Sequence, residues 1–221
     1  MSDYNYKNFK ATYYNFTGFD GPAEGERAPD FKALTLDGKE VMLSDYFGKP
    51  LVLEMGSVTC PIYVGEIRPM QKLVEKFPEV EFLVLYVREA HPGEKIGPHE
   101  SMEDKIGCAN LLKQKRNETR TILVDDVEGT AHKIYGTFPD SVFIIDSEGK
   151  IAWRSQWNRT KEVEKNLERL SRGEKPVPAK KKLIDKPERL NISTFLDGGW
   201  IAVKDFILQF PALVKHRIFK K

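Results

Sequence analysis

A chain of 221 residues with 40% hydrophobic, 31% charged and 11% aromatic residues has the make-up of a folded protein with one well-packed core and appendages. Two full domains would be cramped, and Lys+Arg 35 against Asp+Glu 33 leaves a net charge of +2, no electrostatic footprint for nucleic acid. No run approaches the roughly 20 apolar residues of a membrane span, and Met1-Ser2-Asp3-Tyr4 lacks the basic and apolar regions of a secretion signal, so a cytoplasmic location is expected. Cys60 and Cys108 are too few for a secreted disulfide scaffold, and no Cys/His pairing has the short ligand spacing of a zinc site, so no metal is expected.

Residues 1–27 carry Tyr4, Tyr6, Phe9, Tyr13, Tyr14, Phe16 and Phe19 without a clean period and read as an extension that packs locally. Lys32 to Leu36 and Glu40 to Leu43 flank Asp37-Gly38, a hairpin signal. Leu51 to Met55 is an apolar run with one glutamate, suited to a strand buried on both faces. After the Gly56–Pro61 loop, Ile67, Met70, Leu73, Val74 and Phe77 recur at helical spacing, and Pro78 ends that helix. Glu81 to Val87 predicts a second buried strand, followed by a long loop holding His91 and His99.

Ser101 with Asp104 three residues on resembles a capping box for a helix to about Arg116. Thr121 to Val124 predicts a strand, Gly129 to Tyr135 a short helix, Val142 to Asp146 and Ile151 to Ser155 an antiparallel pair, and Thr160 to Ser171 a closing helix. This order predicts an α/β fold, a mixed central sheet with helices on both faces, over residues 28–172. Ligands gather at the carboxyl ends of the parallel strands in such sheets, here the Gly56–Pro61 and Arg88–Glu100 loops. Residues 173–189 read as a basic Pro/Lys linker. Residues 190–221 read as an amphipathic tail whose Trp200, Val203, Ile207, Phe210 and Val214 pack on the core or on a second subunit, a homodimer, rather than on a membrane surface.

Cys60 follows a buried strand and precedes Pro61, a residue favoured at the first helical position. A sulfur there faces free backbone N–H groups and the positive end of a helix, which favour thiolate, the nucleophilic form. Ser57 and Thr59 add hydroxyls. The competing reading is a buried cysteine acting as a small apolar side chain. A helix-start thiol on this element order points to the thioredoxin superfamily, but the third residue after Cys60 is Tyr63, so a CxxC pair is absent. Peroxiredoxins carry Ser or Thr three residues before the reactive cysteine, matched by Ser57, and Pro seven before, where this chain has Leu53.

Read together, GSVTCP at 56–61, LYVREAHP at 85–92, PHESMEDKI at 98–106 and IYGTFPDSVFII at 134–145 resemble the iodothyronine deiodinase family over about Ala28 to Arg154. That resemblance implies a thioredoxin-like fold and reductive removal of iodine from a phenolic ring, with Cys60 at the position of a selenocysteine. It implies that Ser57 and Thr59 flank the chalcogen, and that Tyr86, Glu89, His91 and His99 serve proton delivery and substrate contact, with Glu89 orienting His91. A halogen can be attacked by a soft anion, and the ring carbon must then be protonated, so one nucleophile and one proton relay suffice. The implied partners are a small-molecule substrate and an external thiol reductant such as thioredoxin, glutathione or dithiothreitol, with no bound cofactor. Cys108 is the internal candidate for resolving oxidised Cys60. Pro139 matches the place where thioredoxin-like proteins commonly hold a cis proline, and His132 is expected to be solvated.

Three departures stand out. Ser141 occupies the place of a family arginine, Val58 that of a second cysteine found in some members, and the membrane anchor of the animal enzymes is not found in the chain. A peroxidase acting through the same Cys60, and a redox-inactive binding module on the same fold, remain the rival functions.

Overall fold

The apolar runs become strands, and the amphipathic runs cover them. The computed structural model describes residues 4–16, 18–179 and 187–218. Its strands are β1 (Lys32–Thr35), β2 (Glu40–Met42), β3 (Leu51–Gly56), β4 (Glu81–Tyr86), β5 (Thr121–Val124), β6 (Val142–Ile145) and β7 (Ile151–Ser155). Its α-helices are α1 (Pro61–Lys76), α2 (Met102–Arg116), α3 (Thr130–Ile134), α4 (Thr160–Ser171), α5 (Thr194–Gly198) and α6 (Trp200–Ile218).

The strands form one sheet in the order β2-β1-β5-β4-β3-β6-β7. Parallel pairing joins β3 to β4 and β4 to β5, and the remaining pairs are antiparallel. Side chains alternate across the sheet with period two. Val52, Val84, Ile122, Val142, Ile144 and Trp153 lie on the face covered by α1, α2 and α4. Leu51, Leu53, Met55, Leu83, Leu85, Leu123, Phe143 and Ile145 pack on the other with Phe31, Leu43, Ala131 and Tyr135. Half of the capping box forms: Ser101 Oγ accepts from the Asp104 N–H at 3.1 Å, while the Asp104 carboxylate accepts not from the Ser101 N–H but from that of Glu100, at 3.2 Å.

Both chain ends are brought over the carboxyl end of β3. Residues 4–16 do not pack merely among themselves; Tyr6, Phe9, Tyr14 and Phe16 join the core cluster that contains Cys60. The reason lies in their composition, since aromatic rings of this number cannot bury one another in so short a segment and need the body. The two ends also bind each other: Asp205 accepts from the Phe9 N–H at 3.2 Å and from Asn8 at 2.9 Å, and Gln209 accepts from the Ala11 N–H at 3.1 Å.

These polar ties turn α6 partly away from the predicted stripe, of which Val203 and Val214 are half-buried. Trp200, Ile207 and Phe210 are 71%, 60% and 53% exposed, while Ala202 is buried and Phe206 packs on Phe195. The Glu94 carboxylate accepts from the N–H groups of Trp200 and Ile201 at 2.5 and 2.8 Å, capping the helix start. The cap and the two polar ties turn positions 202, 205, 206 and 209 inward. Close approach fixes the docking as well: a Cβ on Gly93 would stand 2.2 Å from the Gly198 carbonyl oxygen. Of the basic linker, Lys180 to Lys182 lie outside the described residues.

Candidate active site

β3 ends at Gly56, and the chain turns so that Cys60 becomes the N-cap of α1 with Pro61 as its first residue. The Cys60 N–H donates to Ser57 O at 3.1 Å, and the N–H groups of Ile62 and Tyr63 face Sγ. The helix-start donors expected from the sequence are therefore present. Their effect on ionisation is outweighed: Cys60 is 1% exposed, and burial, followed by the negative charge of Asp140, pushes its thiol well above the ordinary value near 9. This corrects the expectation of a thiolate at neutral pH. Alkylation of Cys60 by iodoacetamide should accordingly keep rising through pH 9 with no plateau below it; a plateau near pH 7 would show a depressed pKa instead.

Ser57 and Thr59 hold the loop rather than facing the sulfur. Thr59 Oγ1 donates to Glu89 Oε2 at 2.5 Å and accepts from the His91 N–H at 3.1 Å, while Ser57 Oγ accepts from the Ala90 N–H at 3.2 Å. The Thr59 N–H adds a bond to Glu89 Oε2 at 3.1 Å. Glu89 Oε1 accepts from the Tyr86 hydroxyl and lies 3.1 Å from His99 Nε2. Burial pushes the Glu89 carboxyl up, but His99, Thr59 and Tyr86 together outweigh it and hold it below the ordinary carboxylate value. Tyr86, Glu89 and His99 thus form one buried network clamping the loop that presents Cys60.

The His91 ring takes no part in that network, which holds only its backbone N–H through Thr59, so Glu89 does not orient the imidazole. Its ring sits among Phe9, Phe195 and Phe206 at centroid distances of 4.3, 4.9 and 5.8 Å, and Nδ1 has no hydrogen-bond partner among the described residues. Burial pulls its pKa down to about 3. His132 also departs from expectation: it is buried, with Nδ1 2.7 Å from the Tyr4 hydroxyl and Nε2 3.0 Å from Phe138 O. Tyr4 comes from the extension, which is why the surrounding sequence of His132 showed no partner.

Burial, followed by the Arg88 charge, holds His132 well below its ordinary value. Both histidines stay neutral when folded and become protonated when unfolded below about pH 6.5. Stability should therefore be fully present above pH 6.5 and decline as pH falls toward 3, by up to about 1.4 kcal/mol per histidine per pH unit. Thermal denaturation from pH 8 to 4 should show this fall, and His91→Leu should make it shallower.

The remaining predicted positions are also placed. The Phe138–Pro139 bond is trans, because no described peptide is cis, which overturns the cis expectation, although Pro139 does line the cavity beside Cys60. Ser141 is buried, with its hydroxyl directed to Phe138 O at 3.4 Å. Cys108 does not line that cavity; Glu89, His99 and Cys108 each offer one donor atom within 4.8 Å of the others, a carboxylate, imidazole and thiol set with the chemistry to hold a divalent metal. Hydrogen bonds already occupy the Glu89 member of that set. Burial, followed by Glu89, pushes the Cys108 thiol up to about 12, and both cysteines are free thiols.

Sequence reasoning did not find the walls. The cavity over Cys60, about 150 Å³, is lined by Phe9, Tyr14 and Phe16 from the extension, Phe138 and Trp157 from the body, and Phe195 and Phe206 from the tail. The aromatic density of residues 4–19 was the available signal. Arg88 was also missed: its guanidinium lies 4.9, 4.8 and 5.4 Å from the ring centres of Tyr4, Tyr6 and Tyr14 and donates to Tyr4 O at 3.0 Å.

A parallel β3-β4-β5 core with a cysteine at the start of the helix after β3 is a thioredoxin-like arrangement. Solved structures share the fold: an uncharacterized conserved protein from Geobacillus kaustophilus (19% identity, TM-score 0.58, 72% of this chain and 87% of that one). A DsbE-type thiol:disulfide interchange protein from Chlorobium tepidum aligns with 20% identity, TM-score 0.54 and 68% and 96% coverage. A thiol peroxidase from Chromobacterium violaceum does so with 14% identity, TM-score 0.53 and 70% and 91% coverage.

The chain itself belongs to the iodothyronine deiodinase family, whose model matches residues 4–171. Among curated proteins it is 32% identical over 137 residues to thyroxine 5-deiodinase of Ovis aries (56% of this chain, 47% of that protein) and 31% identical to that of Homo sapiens (56% and 45%). The match spans about half the length of those relatives. The family match reaches back to residue 4, well before the Ala28 boundary of the sequence resemblance, in keeping with the extension's place at the site.

Proposed function

We propose that the protein is a thiol-dependent reductase that removes iodine from an iodinated phenol, with Cys60 as nucleophile. The observation that carries this reading is that Cys60 and the unpartnered imidazole of His91 line the same aromatic cavity, in a chain of the deiodinase family. An aryl iodide and the Cys60 thiol give the deiodinated ring and a Cys60 sulfenyl iodide. The sulfur takes the iodine, and the pair from the broken carbon–iodine bond stays on the ring carbon, which receives the proton from the thiol. His91, neutral and buried in the same cavity, passes that proton across its ring in one concerted step, taking it at one nitrogen as the other gives its own, without becoming imidazolium. No net proton enters from outside.

An external thiol then displaces iodide to give a mixed disulfide, and a second thiol releases it, returning Cys60 as thiol and leaving the reductant as disulfide. Thioredoxin, glutathione or dithiothreitol suits this role. Cys108, grouped with Glu89 and His99 outside the cavity, is not needed. Ser57, Thr59, Tyr86, Glu89 and His99 act as positioning residues through the loop clamp. Peroxide reduction at the same sulfur is less well supported, because breaking an O–O bond calls for donors at the leaving oxygen, and Thr59 directs its hydroxyl to Glu89.

Trapping tests this. Reduced protein mixed with one equivalent of 2-iodophenol and then glutathione should release one equivalent of iodide and carry a glutathione adduct on the Cys60 peptide, unchanged in Cys108→Ser and slowed in His91→Phe. An adduct forming equally without the iodophenol, or mapping to Cys108, would contradict the scheme.

A further inference from the structure

We propose that the Cys60 cavity takes an uncharged, single-ring halogenated phenol and discriminates against ligands that carry a carboxylate. The inference deepens the functional reading above and rests on it for the chemistry, but the binding preference stands on the cavity itself. Three observations converge on it.

The first is size. The apolar cavity, about 150 Å³, has room for one benzene-sized ring. Its walls are ring faces and edges from Phe9, Tyr14, Phe16, Phe138, Trp157 and Phe195, the surroundings an aromatic guest packs against best.

The second is charge. Among the described residues no Lys, Arg, Asp or Glu lines the cavity, and His91 is held neutral within it. The nearby Arg88 guanidinium is stacked among three tyrosine rings, donates to the Tyr4 carbonyl and does not line the cavity. The charge that acts most strongly on the sulfur, Asp140, is negative, whereas Glu54 is paired with Arg120. An anionic ligand entering here would lose its hydration with no cation among the lining residues to replace it.

The third is the mouth. Leu190, Ile192 and Phe210 both line the cavity and are 55%, 72% and 53% exposed. The apolar surface therefore runs unbroken from solvent to the interior, and a carboxylate on a second ring outside the cavity would rest against hydrocarbon. A neutral lipophilic ring gains along this whole path, because each part of it leaves water for apolar surroundings.

The test uses Cys60→Ser protein, so that binding is read without turnover. Calorimetric titration at pH 7 compares 2-iodophenol with 3-(4-hydroxy-3-iodophenyl)propanoate, the same iodinated ring bearing a carboxylate. The neutral phenol should bind at least tenfold more tightly. Ile192→Arg, placed at the exposed rim, should tighten the propanoate severalfold and leave the phenol unchanged. Equal or tighter binding of the propanoate to the Ile192 protein would overturn the proposal, as would failure of the phenol to bind. If the tenfold preference holds but wild-type protein with dithiothreitol frees no iodide from 2-iodophenol, the chemistry assigned to Cys60 fails while the cavity's preference stands.

Discussion

Cys60→Ser should lower thiol-dependent turnover by at least about a thousandfold while leaving the fold intact. The two halves of this expectation have separate causes. Turnover falls because an alcohol is neither a soft nucleophile toward iodine nor able to pass through a mixed disulfide. The fold survives because Cys60 is a helix N-cap with the N–H groups of Ile62 and Tyr63 facing its side chain, and serine is among the preferred residues for that position. Thermal denaturation should show an unchanged or slightly raised midpoint. A large fall in the midpoint would mean that the thiol serves chiefly as packing, the alternative raised by its burial.

Arg120→Met should destabilise the protein by about 3–5 kcal/mol, the usual cost of removing one partner from a buried ion cluster. Arg120 joins Glu54 on β3 and Glu118 before β5, reaching the latter at 2.7 and 2.9 Å. The Tyr63 hydroxyl on α1 donates to Glu118 at 2.8 Å, and Asn158 donates to Glu54. The cluster therefore ties the strand that leads into Cys60 to the helix that leaves it. Even with the arginine present, burial raises Glu54 to about 6. Without it, both carboxyls must take up protons or remain buried charges, so the loss should be larger at pH 8 than at pH 5. Urea denaturation at the two pH values checks the sign, and adding Glu54→Gln and Glu118→Gln should return part of the loss. An effect below 1 kcal/mol at pH 8 would show that the cluster is open to water.

The order and type of the body elements could be read from the chain because each run carries its own period and stop: Pro78 after α1, the Asp37-Gly38 turn, the Ser101 cap. The position of Cys60 was readable for the same reason, since strand, loop, proline and helix follow one another in sequence. Its ionisation was not, because helix-start donors are local while burial is supplied by residues 4–16 and by α5 and α6, far away in the chain. His91 and His132 were misjudged on the same ground: the Phe9, Phe195 and Phe206 rings and the Tyr4 hydroxyl that surround them come from the two ends. The face of α6 followed polar ties from Asp205, Gln209 and Glu94, which hydropathy alone does not weigh. Tyr86, Glu89 and His99 did come together as one network, but around Thr59 rather than around His91.

The central claim is that Cys60 reduces a carbon–iodine bond rather than an O–O bond. The most direct measurement gives wild-type protein dithiothreitol with either 2-iodophenol or hydrogen peroxide, and follows iodide and residual peroxide side by side against Cys60→Ser. The account predicts iodide release that requires Cys60, at one iodide per dithiothreitol oxidised, with peroxide loss no faster than in the serine variant. Rapid Cys60-dependent peroxide loss without iodide would contradict it.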